Sequence, residues 1–270
     1  MDIVAIDWSG ARVGAAERIW LAHVRPNRPD QLAELRNGRS RSDVIDLVCQ
    51  LPTRCPEGLV VGLDFAFSYP AWFLRHQGHD TVGDLWSCVA ESGEHWLAEC
   101  PWPYWGRPGI GRPDLPEHFR LAERNAAIGG IGPKSVFQIG GAGAVGTGSI
   151  RGMPFLRQLR AAGFSIWPFD PPSRWTVVEI YPRLMTGPVH KKNQVDRARY
   201  LERSAWAELP ERGTMERSED AFDAAISALV MAQADTQWPE LIQSTDPIML
   251  LEGDIWRPRE ATTRSPDAGF

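Results

Sequence analysis

Three carboxylates sit where an apolar chain can least accommodate them. Asp7 ends the run "IVAID", Asp64 ends "LVVGLD", and Glu179 interrupts "WTVVEIYP". Burying an ionised carboxylate is costly unless something positive compensates it, and a divalent cation is the simplest compensation. Gly10 follows Asp7 closely, and Tyr69 and Pro70 follow Asp64, so both runs read as β-strands that break at their C-terminal ends. As parallel neighbours, these strands would stand Asp7 and Asp64 side by side. Glu179 lies inside its strand, which Pro182 terminates. A fourth motif, "SEDAFDAAISAL", reads as a helix. Ser218 is a fair N-cap, and Asp220, Asp223, Ala224 and Ser227 follow helical spacing on a face lined by small residues, which can approach a sheet closely. Taken singly, an Asp at a strand end suits an Asx turn, and acids in a first helical turn complement the dipole. Together they match the several converging oxygen ligands that a hard divalent cation needs.

The rest of the pattern predicts an α/β chain. "IVAID", "ERIWLAHV" and a weaker stretch near Leu32 to Arg36 form an antiparallel meander, and Ser42 to Leu51 a helix leading into the strand of Asp64. Residues from about 70 to 133 read as a helical, Trp-rich insertion in a single domain spanning 1–257. The core resumes with a strand-like "SVFQIG", a helix from about Pro154 to Ala162, the strands "FSIWPFD" and "WTVVEIYP", and two closing helices. The tail, 258–270, is polar and expected to be mobile. In the insertion, Trp96, Trp102, Tyr104 and Trp105 lie near Arg107 and Arg112. Such a set could stack bases and neutralise phosphates. The favoured reading is a small aromatic core for a lid.

No apolar run among the 270 residues is long enough to span a bilayer, and no leader is expected ahead of the first strand. Cys49, Cys55, Cys88 and Cys100 lack CxxC spacing, so neither zinc nor a disulfide framework is indicated and a reducing cytoplasm is expected. A formal charge of −5 argues against coating nucleic acid through a global positive field. Lysine occurs only at Lys134, Lys191 and Lys192, each beside an acidic or glycine-rich motif. Any of these could hold a phosphate oxygen, although solvated surface lysines are the commoner case.

From "IDWSG" through "GLDFAFSYP", "KSVFQIGGAGAVGTGSIRGMP" and "VVEIYPR" to "EDAFDAAISAL", the chain resembles the DUF429 family of predicted ribonuclease H-like nucleases. The resemblance implies a ribonuclease H-like mixed sheet flanked by helices. It also implies a two-metal carboxylate site for Mg2+ or Mn2+ that hydrolyses phosphodiester bonds of nucleic acid. Carried over, the metal ligands are Asp7, Asp64 and Asp220 or Asp223, with Asp7 bridging the ions. Glu179 is an additional catalytic candidate that the superfamily core does not require. Ser9 and Arg12, just past the first acid, are candidates for contact with the scissile phosphate, or else simply shape a hairpin turn.

Three other readings compete. "DWSGARVG" resembles the first phosphate loop of the sugar-kinase and actin-like ATPases, which share the ribonuclease H-like sheet, although one set of motifs is short for that two-domain architecture. "GAGAVG", Gly141 to Gly146, fits the dinucleotide fingerprint GxGxxG. Against it, the following helix is expected to start only at Pro154, away from the glycines. A non-catalytic scaffold on a decayed nuclease fold is the third.

Overall fold

The computed structural model describes residues 1–124 and 126–259. Seven strands form one mixed sheet: β1 (Asp2–Asp7), β2 (Trp20–Val24), β3 (Glu34–Arg36), β4 (Leu59–Leu63), β5 (Ser165–Ile166), β6 (Trp175–Ile180) and β7 (Ile255–Trp256). Their order is β3-β2-β1-β4-β6-β5, and β7 also pairs with β6. The first three strands are the antiparallel meander, and β4, β5, β6 and β7 join by parallel pairing. Between β1 and β2 lies a helical turn, α1 (Ala15–Arg18). Helix α2 (Arg41–Gln50), with a capping box between Ser40 and Asp43, leads toward β4. The stretch from 71 to 124 carries α3 (Ala71–His76), α4 (Val82–Glu99) and α5 (Leu121–Arg124). Next comes α6 (Val145–Ala161), and after β6 come α7 (Arg183–Thr186), α8 (Gln194–Arg203), α9 (Arg212–Arg217), α10 (Glu219–Gln233) and α11 (Met249–Glu252). None of the described helices is long and apolar enough to cross a membrane.

Strand alternation divides the core between the two faces of the sheet. Val4, Ile6, Val61, Leu63 and Val177 pack with Val44, Ile45 and Val48 of α2 and with Met153 and Leu156 of α6. Ile3, Ala5, Val60, Val178 and Ile180 pack with Phe222, Ala225, Ile226 and Leu229 of α10. Gly62 on β4 lets α10 come close, since a Cβ there would lie 2.8 Å from Met231 Sδ and 2.9 Å from Ile180 Cγ2. The small-residue face of "DAFDAAISAL" does what its spacing predicted.

Two expectations are corrected. "SVFQIG" is a turn with a single bridge, Trp105 to Gln138, and not a strand. Helix α6 begins at Val145 rather than at Pro154, which sits in its interior. Glycine is a poor helix former, but here tertiary packing overrides propensity. Gly146 abuts the carbonyl of Val136, Gly148 accepts from the Trp8 indole, and a Cβ on Gly152 would meet the Phe65 ring at 2.6 Å. The glycines are therefore contact points of a buried helix. With no strand ahead of them, they do not form a βαβ fingerprint. Trp72, Phe73, Trp96 and Tyr104 pack in a group with Phe137: Trp96 stacks on Tyr104 at 5.5 Å, and Phe73 lies 5.3 Å from Phe137. The tail expectation falls largely on 260–270, outside the described residues.

Candidate metal centre

Asp7 and Asp64 arrive together through register. Ile6 pairs with Leu63 across the parallel β1–β4 ladder, and the Asp64 amide donates to the Ile6 carbonyl at 3.1 Å. Asp7 continues the alternation of Ile3 and Ala5, and Asp64 that of Val60 and Gly62, so both acids turn to the face covered by α10. Ser218 caps α10 by accepting from the Ala221 amide at 3.1 Å, setting Asp220 in the first turn and Asp223 one turn further. Asp7 and Asp223 are buried, and Asp64 and Asp220 are partly exposed.

Opposite these acids stands Lys191, while the charges of Arg18 and Arg197 also reach Asp220 and that of Arg183 reaches Asp223. Lys191 Nζ donates to Asp223 Oδ2, and the pair is buried. Its backbone is fixed from below, because Arg197 donates to the Lys191 carbonyl and Arg183 to the carbonyls of Gly187 and Val189. Asp223 Oδ1 is buried without a hydrogen-bond partner. Among the described residues, no hydrogen bond reaches the carboxylates of Asp7 or Asp64 either. One lysine does not neutralise this group. Burial first, then Asp64, Asp223 and Asp220, raises the Asp7 carboxyl well above its ordinary value despite Lys191. Burial and then Asp223 push Asp64 up to about 8, and burial pushes Asp223 up to about 6 against the pull of Lys191. Asp220 is raised too, by burial and then Glu219. Such a cluster is short of positive charge. Its oxygens do not form a closed cage, since no three of these acids bring their oxygens within 4.8 Å of one another.

Glu179 does not join the cluster. It shares the alternation of Val177, on the other face of the sheet, and both its oxygens are engaged: Arg120 Nη1 donates to Oε2 at 2.8 Å and Nη2 to Oε1 at 2.5 Å, while the Phe67 amide donates to Oε2 at 2.8 Å. Arg120, 1% exposed, is held as well by Glu123 and the Glu252 carbonyl. With no free oxygen, Glu179 supports the Asp64–Phe67 turn from behind and influences Asp64 only through its charge.

The turn after Asp7 is clamped. Arg41 donates to the carbonyls of Ser9 and Ala11, Arg151 to that of Gly10 at 2.5 Å, and Trp8 Nε1 to Gly148 O at 3.2 Å. Ser9 Oγ accepts from the Ala11 amide at 3.2 Å, the hairpin-turn role weighed for it, and Arg12 is exposed. Lys134 and Lys192 are exposed. Lys134 borders a cleft of about 180 Å³ beside Asp64, between Trp8, Val145 and Tyr181. That is room for a phosphate-sized group. Arg120 carries no signal in the sequence, because its partners Glu179 and Glu252 lie far along the chain.

The chain matches no protein-family model, and comparisons with curated proteins and with solved structures return no match.

Proposed function

We propose that this chain is a ribonuclease H-like, metal-dependent nuclease, as its resemblance to DUF429 implies. The strand order supports this reading: an antiparallel meander followed by parallel strands, with acids at the C-terminal ends of β1 and β4 and on α10. The observation that carries it is the gathering of Asp7, Asp64 and Asp223, whose buried Oδ1 has no hydrogen-bond partner, around Lys191. Hard cations take such oxygens. Asp7, Asp64 and Asp223 would hold two Mg2+ or Mn2+ ions, with Asp220 assisting from the rim. Bound there, the ions supply an activated water and neutralise the leaving oxygen.

The chain's own groups do the rest. Arg41, Arg151 and Trp8 hold the turn after Asp7 still, so its carboxylate keeps one orientation. Arg120 and Glu179 hold the turn after Asp64 in the same way. Lys191 holds Asp223 through Oδ2, leaving its buried Oδ1 without a hydrogen-bond partner and free to serve as a metal ligand. Lys134, at the mouth of the cleft, would contact a phosphate oxygen of the substrate.

The test is cleavage of labelled single- and double-stranded RNA and DNA, a hybrid and a four-way junction, with Mg2+, Mn2+ or EDTA. An ATP hydrolysis arm covers the kinase-like alternative. Metal-dependent cutting that Asp7→Asn reduces by about 100-fold or more is expected, the scale of losing a group essential to transition-state stabilisation. Absence of cutting, together with calorimetry showing no Asp7-dependent Mn2+ binding, would end the nuclease reading.

A further inference from the structure

A second donor group lies at the other end of the sheet, on the other face. Asp2 opens β1, about 17 Å along the strand from Asp7. His23 on β2 pairs in register with Val4, so both side chains share the face of Val4, Leu21 and α2. Cys55, from the turn that feeds β4, completes the group. His23 Nε2 and Asp2 Oδ1 are 2.7 Å apart, and a ring nitrogen of His23, a carboxylate oxygen of Asp2 and Cys55 Sγ all lie within 4.8 Å of one another. Cys55 is 2% exposed. The group borders a cavity of about 480 Å³ whose wall includes Arg25, Arg54 and Glu57.

A nucleophilic thiol needs a base on its sulfur, oriented in turn by a third group. Here the carboxylate is bonded to the imidazole, and among the described residues no hydrogen bond joins the imidazole to the thiol; burial and Asp2 raise the Cys55 thiol rather than activate it, so the arrangement is wrong for a nucleophile. Thiolate, imidazole and carboxylate together are instead a donor set for a borderline-soft ion, unlike the all-oxygen acids at the far end.

We propose that Asp2, His23 and Cys55 form a Zn2+ site, with a water from the cavity as the fourth ligand. A tetrahedral centre with bonds of about 2.0–2.1 Å sets its N and O ligands roughly 3.3 Å apart, so the His23–Asp2 pair opens by only about 0.6 Å. As the zinc–sulfur bond forms, the thiol proton leaves to solvent, and thiolate and carboxylate cancel the ion's two charges. No redox step is involved. The ion would staple β1, β2 and the turn before β4. This site shares no residue with the acidic cluster, and its fate does not depend on the nuclease reading.

The experiment titrates the full, metal-free chain with Co2+, then displaces it with Zn2+. A thiolate-to-cobalt charge-transfer band saturating at one equivalent is expected, together with a rise in Tm on adding Zn2+. Asp7→Asn and Cys49→Ser should retain the band, and Cys55→Ser should abolish it. His23→Gln should weaken binding by roughly tenfold or more, at least the scale of losing an outer-shell partner. Circular dichroism checks folding, and if Cys55→Ser does not fold, His23→Gln decides. Absence of the band in the wild type, its survival in folded Cys55→Ser, or unchanged Co2+ affinity in His23→Gln overturns the proposal.

Discussion

Glu179 shows how much a single residue's partner decides. A carboxylate flanked by Val178 and Ile180 reads as a site residue, yet it forms a bidentate pair with Arg120, whose own charge is shared with Glu123. Desolvating two ions offsets most of their attraction, so the intact pair adds little net stability, but removing one partner strands the other in the core. Glu179→Gln is therefore expected to destabilise the fold by about 3 kcal/mol, read as a lower midpoint in urea with an unchanged slope. A change under about 0.5 kcal/mol, typical of surface sites, would mean that Arg120 finds other partners. The strand's own alternation carried part of this answer, because Glu179 and Val177 share the face opposite Asp7.

At the scale of elements, α6 is defined by its glycines. A Cβ on Gly152 would lie only 2.6–2.7 Å from the Phe65 ring, whereas one on Gly148 would have its nearest neighbour, Trp8 Cδ1, at 3.7 Å. Alanine gains up to about 1 kcal/mol of helix propensity at either site. Gly148→Ala should keep that gain and be neutral or slightly stabilising. Gly152→Ala should lose about 1–3 kcal/mol through overpacking and displace Phe65, the neighbour of Asp64. Thermal melts of the two variants side by side check this, and equal Tm values would show that α6 docks less tightly than its contacts imply.

For the whole molecule, the acidic cluster makes stability depend on pH and on cations. The carboxyls of Asp64 and Asp223 rise from 3.8 to about 8 and about 6 on folding. The folded chain therefore holds more protons than the unfolded chain between those values. Their stabilising contribution is full below about pH 4 and is lost as pH rises through the folded values. Without metal, Tm should fall between about pH 5 and pH 8. Asp64→Asn should flatten that slope and, at about pH 8, gain about 2 kcal/mol, or ~4–8 °C. Mn2+ should restore the wild-type Tm at the upper end of the range, by binding the folded state alone, and should do little for Asp7→Asn. Parallel wild-type and Asp64→Asn curves would show that these carboxyls are not shifted by folding.

What could be read from the chain alone is local and periodic. The two-residue alternation of "DIVAID" and "LVVGLD" assigns each side chain to a face, Ser218 marks where α10 starts, and the alanines after Asp220 mark the face that meets the sheet. Those rules depend on neighbours within a few residues, so Asp7, Asp64 and the pair Asp220 and Asp223 could be named as candidates in advance, without a choice between the last two. Only the tertiary structure brought Arg120 to Glu179 across 59 positions, Lys191 to Asp223 across 32, and His23 and Cys55 to Asp2. It also began α6 nine residues before Pro154, because close packing overrides a glycine's poor local propensity. Burial and charge compensation are set by whatever the fold places nearby, and no spacing within a motif encodes that.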